Sequence, residues 1–392
     1  MNLPTPLEHP CETMTGRRAL TIGLPSCCDP AERRFPLTPE GAGSLIERGF
    51  RVKMQEGAAA SIHYTDAAYA RAGVETVSRS EALGCDIVIH LAALCASDVT
   101  AMRRGAMLLT MARPAASDRL SIRQLLNRHI LAIALDLVED SEGNTPFADI
   151  LAEIDGRASV AIASSLLADA VRGKGILLGG VAGIVPCETL IIGSGIAACA
   201  AARSAMGLGS TVRIFDNDVY SLRRASQRLG GSVITSSLHP HTLHGALRSA
   251  DVVIVTPTRE RFMLHSDTVA TMKRGVVAFD LAPEADGSAF PSMTPVDLAM
   301  ASAVGASGRI DGRICFVHAG NAVARTAAMA LSNTLLTFME SIVSCEGPAN
   351  ALKLHPGMQK ATLTFFGKIV NPRVATAMNT RSVDIAIYLT LS

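Results

Sequence analysis

The stretch IIGSGIAACAAARSAMGLGSTVRIFDND, residues 191–218, decides how the chain folds. An apolar strand runs into the turn Gly193-Ser194-Gly195, small residues at helical spacing follow, and a second strand ends at Asp216. In such a unit the first glycine permits the tight turn and the second lets the backbone approach a pyrophosphate, whereas the third position needs only a small residue, as Ala198 is. The stretch therefore predicts a βαβ unit that binds a dinucleotide, and a βαβ turn without a ligand is the alternative.

The expected contacts of the dinucleotide follow from this geometry. Backbone N–H groups at the start of a helix attract phosphates, which nominates Ser194, Ile196 and Ala197 beside the two glycines. Asp216, with Asn217 next to it, lies where a carboxylate accepts hydrogen bonds from a ribose 2′-hydroxyl. Because the same carboxylate repels a 2′-phosphate, the sequence favours NAD over NADP.

Strand-like runs alternate with helical segments along most of the chain, which is typical of parallel sheets with helices on both faces. One long helix is predicted between residues 150 and 171, and the tail after residue 345 has a mostly helical pattern with no new strand series. We predict an α/β protein with a central Rossmann doubly wound parallel sheet and a second, flavodoxin-like α/β domain formed by the N- and C-terminal segments. The predicted boundaries are 1–18 for a disordered extension, 19–150 and 323–392 for the substrate domain, and 151–322 for the NAD-binding domain with its linker helix.

The overall composition favours a small-molecule partner. The 392 residues contain 36 Lys and Arg against 35 Asp and Glu, so no basic field indicates nucleic acid. The nine cysteines are interpreted as buried, reduced thiols of a cytoplasmic protein, although two of them, Cys27 and Cys28, are adjacent. The histidines at 239, 241 and 244 follow no standard metal-site spacing, and no signal peptide or membrane segment is predicted.

Several motifs, in order, resemble those of the alanine dehydrogenase family, which includes the NAD-binding subunit of proton-translocating transhydrogenase. RRFPLTPEG resembles the family's R-V-A-L-T-P, ILLGGVAGIVP its G-V-L-L-G-G-V-P-G-V-P, and AEIDGRAS its S-E-V-A-G-R. FDLAPEADG resembles V-D-I-A-I-D-Q-G-G, AVARTAAMALSN resembles A-V-P-R-T-S-T-Y-A-L-T-N, and the tail from His355 to Thr376 follows the family's ending. The resemblance runs from about Leu20 nearly to the C-terminus.

The resemblance implies reversible oxidative deamination of L-alanine to pyruvate and ammonia, with hydride transfer to NAD, by a homo-oligomer. That chemistry needs a cation for the substrate carboxylate and an acid/base pair near the α-carbon. Arg34 matches the family arginine that holds the carboxylate, and Glu284 stands at the position of the family's loop aspartate.

Two other positions depart from the family. Ala92 stands at the lysine that engages the substrate, and Arg113 at the histidine of F-x-H-L-A. Arginine stays protonated, so it donates hydrogen bonds but accepts no proton as a general base. His90, two residues before Ala92 in a strand, is a candidate for a compensating imidazole, with a strand-end histidine bonded to backbone as the alternative.

The nicotinamide side of the resemblance is less well matched. The asparagine of the family's N-M-P loop corresponds to His318 or, with a shift, to Asn321, and VTPTRERF replaces the family's V-L-I-P-G loop. Three functions are consistent with these residues: an NAD-dependent amino-acid dehydrogenase, a catalytically weakened NAD(H)-binding relative that acts as a sensor or partner subunit, and hydride exchange of the transhydrogenase type.

Overall fold

The computed structural model describes residues 19–111, 119–282, 288–300, 312–344 and 348–391. The β-strands are β1 Thr21–Leu24, β2 Arg51–Gln55, β3 Glu75–Val77, β4 Ile87–Ile89, β5 Met107–Thr110, β6 Leu131–Ala134, β7 Glu188–Ile192, β8 Thr211–Phe215, β9 Ile234–Ser236, β10 Val252–Val255, β11 Val277–Asp280, β12 Thr294–Asp297, β13 Ile314–Val317, β14 Thr362–Phe365 and β15 Lys368–Ile369.

The α-helices are α1 Pro39–Glu47, α2 Asp66–Arg71, α3 Arg79–Leu83, α4 Ala96–Ala101, α5 Arg119–Asn127, α6 Pro146–Ala168, α7 Ile196–Gly207, α8 Val219–Arg228, α9 Pro240–Ser249, α10 Ser266–Thr271, α11 Ala324–Ser344, α12 Pro348–Leu354, α13 Pro356–Ala361, α14 Pro372–Ala377 and α15 Ile385–Leu391. Short 3₁₀ turns cover Ala60–Ile62, Leu135–Leu137 and Ala319–Val323.

The second sheet in the chain has the strand order β12-β13-β11-β10-β7-β8-β9, and all of its strand pairs are parallel. Strand β7 therefore lies between β8 and β10, where the winding direction changes. This is the order of a doubly wound Rossmann sheet, so the predicted fold class is confirmed.

The first sheet has the order β15-β14-β6-β5-β4-β1-β2-β3. Its six N-terminal strands have the order 3-2-1-4-5-6, which is the flavodoxin order 2-1-3-4-5 with one further strand at the edge. The further strand is β3, whose residues are mostly exposed: helix α2 returns the chain so that β3 adds parallel to the outer edge of β2.

The tail was predicted to be mostly helical with no new strand series, but it adds two short strands to the first sheet. Strand β14 pairs antiparallel with β6, and β15 pairs antiparallel with β14. Thr362 and Thr364 are both 1% exposed, so β14 covers the edge of β6 with buried side chains, and β15 is the outer strand. The pattern of β14 was missed because four residues between helices give little periodicity.

Helix α6 is the long helix predicted between residues 150 and 171, and it joins the two sheets. Phe147, Leu151 and Ile154 in its first half belong to the core of the first sheet. From Ala158 onward its buried residues belong to the core of the second sheet. Helix α11 returns the chain to the first sheet, and the Phe338 ring meets the Phe147 ring edge-on with centroids 5.8 Å apart.

Candidate functional site

The Gly193-Ser194-Gly195 turn follows β7 at the point where the winding of the second sheet changes. Gly193 has a φ of 95°, and a Cβ there would lie 2.2 Å from the Oγ1 of Thr256. Gly195 is the N-cap of α7, and a Cβ there would meet no heavy atom within 4 Å. The first glycine is thus required by the fold, whereas the second leaves open space in front of a helix N-terminus.

The helix behind this turn packs closely because its residues are small. Ala198 is 0% exposed, which agrees with a small residue sufficing at the third position. Gly156 of α6 lies against the backbone of α7, where an added Cβ would be 2.2 Å from the Ala197 carbonyl oxygen. Ile196 and Ala197 form the first turn of α7, so their N–H groups face the open space beside Gly195.

Asp216 follows β8 and is 8% exposed. The Ser194 hydroxyl donates to its Oδ2 at 2.6 Å, and the Asp218 N–H donates to its Oδ1 at 3.0 Å. Each carboxylate oxygen can accept a further bond, so Asp216 retains capacity for a ribose diol. Asn217 lies beside it at the surface, between Asp216 and the N-cap Asp218 of α8. The open turn and this carboxylate together fit a dinucleotide.

Arg34 lies in the loop between β1 and α1, opposite the second sheet. Its Nε and Nη2 donate to the two carboxylate oxygens of Glu32 at 2.7 and 2.5 Å. Burial disfavours the charged guanidinium, but the charge and hydrogen bonds of Glu32, together with the charges of Asp155 and Asp136, raise the pKa of Arg34. Within the described part of the chain, the Nη1 group has no hydrogen-bond partner, which leaves it as a donor for a carboxylate.

The end of that loop is held in place from several sides. Thr38 caps α1 by accepting from the Gly41 N–H, and Pro39 occupies the first turn, which explains the Thr-Pro of the motif. The Tyr69 hydroxyl donates to the Leu37 carbonyl at 2.6 Å. These bonds fix the loop that carries Arg34.

Asn321 connects this loop to the second sheet. Its amide nitrogen donates to the Ala31 carbonyl at 3.1 Å, and its amide oxygen accepts from the Arg33 N–H at 3.4 Å. His318, the other candidate for the family's asparagine, bonds through Nδ1 to the Asp297 carboxylate at 2.9 Å. Of the two candidates, Asn321 is the one that bridges the two halves of the molecule.

Asp155 was missed in the sequence. It lies on α6 after Ile154, which packs in the first core, and before Ala158, which packs in the second. Its Oδ1 accepts from the Gly320 N–H at 2.6 Å. Burial raises the pKa of Asp155, while Arg34, the Gly320 N–H and His318 act in the opposite direction. The sequence signal that could have identified it is the aspartate in AEIDGRAS, which stands where the family motif S-E-V-A-G-R has alanine.

His90 follows β4 and is 3% exposed. Its Nδ1 lies 2.7 Å from the Ala92 carbonyl oxygen, which also accepts from the Thr110 hydroxyl at 3.2 Å. A carbonyl oxygen accepts only, so Nδ1 carries the proton. Burial lowers the pKa of His90, and its Nε2 has no hydrogen-bond partner among the described residues. Ala92 is also buried, at 3% exposure, and brings only a methyl group to this edge of the sheet.

Arg79 supplies the permanent positive charge near His90. Its Nε and Nη2 donate to Asp98 at 2.9 and 2.6 Å, and its Nη1 donates to the Ser26 carbonyl at 2.8 Å and to Gln55 at 3.1 Å. Sequence reasoning did not nominate it, because its partners come from three separate elements: the loop after β1, the end of β2 and helix α4.

Two predicted site residues, Arg113 and Glu284, lie outside the described residues. Asp280, a residue 1% exposed at the end of β11, is the nearest buried carboxylate described before Glu284 in the chain. Asp280 accepts from the Ala282 N–H at 3.1 Å and from the Ala289 N–H at 2.8 Å.

The cysteine prediction needs a correction. All seven described cysteines are free, but Cys28 and Cys95 are exposed and Cys27 is half-buried, while Cys85, Cys187, Cys199 and Cys315 are buried. The exposed ones lie in loops outside the cores.

Among the described residues, no three His, Cys, Asp or Glu side chains are grouped to hold a metal ion. The described helices include none with the length and apolar character to cross a membrane.

Comparison with known proteins agrees with this geometry. The profile "Alanine dehydrogenase/PNT, N-terminal domain" matches residues 23–154, and "Alanine dehydrogenase/PNT, C-terminal domain" matches residues 159–372. The chain belongs to the alanine dehydrogenase/PNT family. NAD is the cofactor of this NAD-dependent oxidoreductase family, and the turn at Gly193–Gly195 with Asp216 fits it.

The most similar relatives include alanine dehydrogenases. One from Mycolicibacterium smegmatis is 28% identical over 94% of this chain and 100% of its own length. Alanine dehydrogenase 2 from Staphylococcus aureus strain Mu50 is also 28% identical over 94% of this chain and 100% of its own length.

Solved structures show the same likeness. An L-alanine dehydrogenase superposes with a TM-score of 0.79 at 26% identity, covering 92% of this chain and 99% of its own. A transhydrogenase from Sinorhizobium meliloti shares the fold, with a TM-score of 0.71 at 20% identity over 90% of this chain and 99% of its own.

Proposed function

We propose that the protein catalyses reversible, NAD-dependent oxidative deamination of a small L-amino acid, with L-alanine as the first candidate substrate. The observation that carries this proposal is the Arg34 guanidinium, which Glu32 holds in a fixed orientation and which the Asn321 bridge keeps beside the second sheet. A fixed, charged guanidinium suits a substrate carboxylate because it donates in a planar fork.

The proposed roles of the remaining residues follow from their positions. Gly193, Ser194, Gly195, Ile196 and Ala197 would receive the pyrophosphate of NAD, and Asp216 with Asn217 its adenosine ribose. When bound, NAD supplies the hydride acceptor. Asn321 would hold the nicotinamide half indirectly, by fixing the loop that faces it.

The acid/base roles are proposed from sequence and local geometry. Glu284 and Arg113 would act near the α-carbon, Glu284 as a carboxylate and Arg113 as a hydrogen-bond donor. His90 offers a lone pair on Nε2, because its Nδ1 proton is held by the Ala92 carbonyl.

The test is the oxidation of NADH by the purified protein with pyruvate and ammonium, followed at the absorbance of NADH. We expect turnover that depends on both pyruvate and ammonium. The substitution Arg34→Gln should abolish that turnover. A panel of other small 2-oxo acids extends the assay if pyruvate is slow. NADH binding without turnover on any 2-oxo acid would contradict the proposed reaction.

That contrary outcome has its own structural support in Ala92. A buried methyl group stands where the family's lysine engages substrate, which favours an NAD(H)-binding relative with weakened catalysis. Restoring the family residues with Ala92→Lys and Arg113→His distinguishes the two: gain of activity indicates a chemical loss. Hydride exchange between NADH and an NAD analogue, without amino acid, would indicate the transhydrogenase type.

A further inference from the structure

Asp155 is a carboxylate that the proposed function does not use. The family motif S-E-V-A-G-R has alanine at this position, where AEIDGRAS has Asp155. An isolated carboxylate is costly to bury, so a substitution of alanine by aspartate at this point requires compensation. Gly320 supplies part of it: its N–H donates to Oδ1 at 2.6 Å, and a Cβ on Gly320 would lie 2.4 Å from that oxygen.

The position of Asp155 is that of a cleft residue. The residues before it on α6 pack in the first core and those after it in the second, so Asp155 faces the seam between the two halves. The residue as a whole is half-buried. Among the described residues only Oδ1 has a hydrogen-bond partner, so Oδ2 retains its full capacity as an acceptor.

The charges around Asp155 come from three elements. Arg34 and Glu32 belong to the loop after β1, which Asn321 holds through Ala31 and Arg33. Gly320, the neighbour of Asn321 in the chain, donates to Asp155, and His318 follows β13 two residues earlier. Asp155 and Arg34 thus bring a carboxylate and a guanidinium to the same seam. These are the two charges that a zwitterionic α-amino acid needs opposite its ammonium and carboxylate groups.

We infer that Asp155 binds the α-ammonium group of the substrate, while Arg34 binds its carboxylate. This inference rests on the proposed function. It assigns to Asp155 the contact with the substrate nitrogen in a chain that has Ala92 and Arg113 in place of the family's lysine and histidine. In the deamination direction, Asp155 also receives a proton: an N–H bond of the ammonium breaks, an O–H bond forms on the carboxylate, and the electron pair stays on nitrogen. The neutral amine that results is the form from which hydride departs.

The experiment compares two ligands that differ in the ammonium group. L-Alanine and propionate are titrated by calorimetry into the protein saturated with NADH, a mixture in which neither ligand is oxidised. For Asp155→Asn we expect L-alanine affinity to fall roughly ten- to hundredfold, the range for loss of one charge-assisted hydrogen bond, while propionate affinity is unchanged or rises. Arg34→Gln should weaken both ligands.

The variants are chosen so that folding does not obscure the result. The amide oxygen of Asp155→Asn still accepts from Gly320, and Asp155→Ala restores the residue of the family motif; both should keep the melting temperature. Glu153→Gln is the matched control, since Glu153 lies on the same helix and pairs with Arg157 at 2.6 Å. It should leave both affinities unchanged.

Three outcomes overturn the inference. If Asp155→Asn binds L-alanine as the wild type does, Asp155 does not contact the ammonium. If both ligands weaken equally, its role is structural. If the wild type binds no amino acid and shows no amino-acid-dependent turnover, the proposed function fails together with the inference. An unaffected L-alanine affinity in an active enzyme overturns the inference alone.

Discussion

Substitution by alanine should have different effects at Gly193 and at Gly195: the first should lower stability and the second should weaken NADH binding. Gly193→Ala places a Cβ against Thr256 at a positive φ, so we expect a loss of about 1–3 kcal/mol in the free energy of unfolding. Gly195→Ala meets no protein atom, so stability should be kept, but the methyl group would occupy space proposed for the pyrophosphate. We expect at least about tenfold weaker NADH binding for Gly195→Ala, roughly 1.4 kcal/mol. Chemical denaturation and NADH fluorescence titration check the pair; unchanged NADH affinity in Gly195→Ala would refute the phosphate assignment.

His90 makes stability depend on pH in a definite direction. Burial lowers its pKa below the ordinary value of 6.5, so below that pH the unfolded chain takes up a proton that the folded protein does not. The contribution of His90 is therefore present above the unfolded pKa and is lost as pH falls toward the folded pKa, at up to about 1.4 kcal/mol per pH unit. Thermal melts between pH 7.5 and about 5 should show a steeper loss for the wild type than for His90→Asn, which keeps a donor for the Ala92 carbonyl. The exposed His241→Asn serves as control, and equal slopes for all three proteins would contradict this account.

At the scale of elements, the crossing of α6 and α7 depends on Gly156. Gly156→Ala would bring a Cβ 2.2 Å from the Ala197 carbonyl oxygen, so the helices must separate. We expect a loss of roughly 1–3 kcal/mol in the free energy of unfolding, because small buried residues pack the two helices closely against each other. Gly207→Ala, at the end of α7 with no atom within 4 Å, is the control and should be neutral or slightly stabilising. Denaturant midpoints measure both; a tolerated Gly156→Ala would indicate that the crossing is not tight.

Elements also show how much the sequence could predict. The Rossmann unit was predictable because Gly193, Gly195 and Asp216 each have a local reason in a strand–turn–helix–strand. The return of β14 to the first sheet was not, since pairing with β6 joins residues more than two hundred positions apart. The same holds for the site: Arg34 was found through its motif, whereas Asp155 gains its meaning only from Gly320 and Arg34, which are distant in sequence.

At the scale of the whole molecule, the Asn321 side chain joins the two halves through two hydrogen bonds. Asn321→Ala removes the hydrogen bonds to Ala31 and Arg33, which leaves those backbone groups without their side-chain partner. We expect a loss of roughly 1–3 kcal/mol in the free energy of unfolding, and a looser loop that raises the KM for the 2-oxo acid if the proposed reaction holds. The exposed Asn333→Ala on α11 should change neither quantity. A variant with the stability and KM of the wild type would show that these hydrogen bonds do not hold the loop in place.

The return of β14 to β6 also affects how the protein is made. Translation finishes β6 long before β14, since the complete second sheet is encoded between them. Until then the nascent chain presents the side of β6 that β14 will cover, and an uncovered strand edge is a template for pairing with other chains. The half built on the second sheet has its seven described strands in one uninterrupted stretch and is synthesised much earlier. We therefore expect that half to fold first on the ribosome, and the half that carries Arg34 to be exposed to chaperones until β14 has been synthesised.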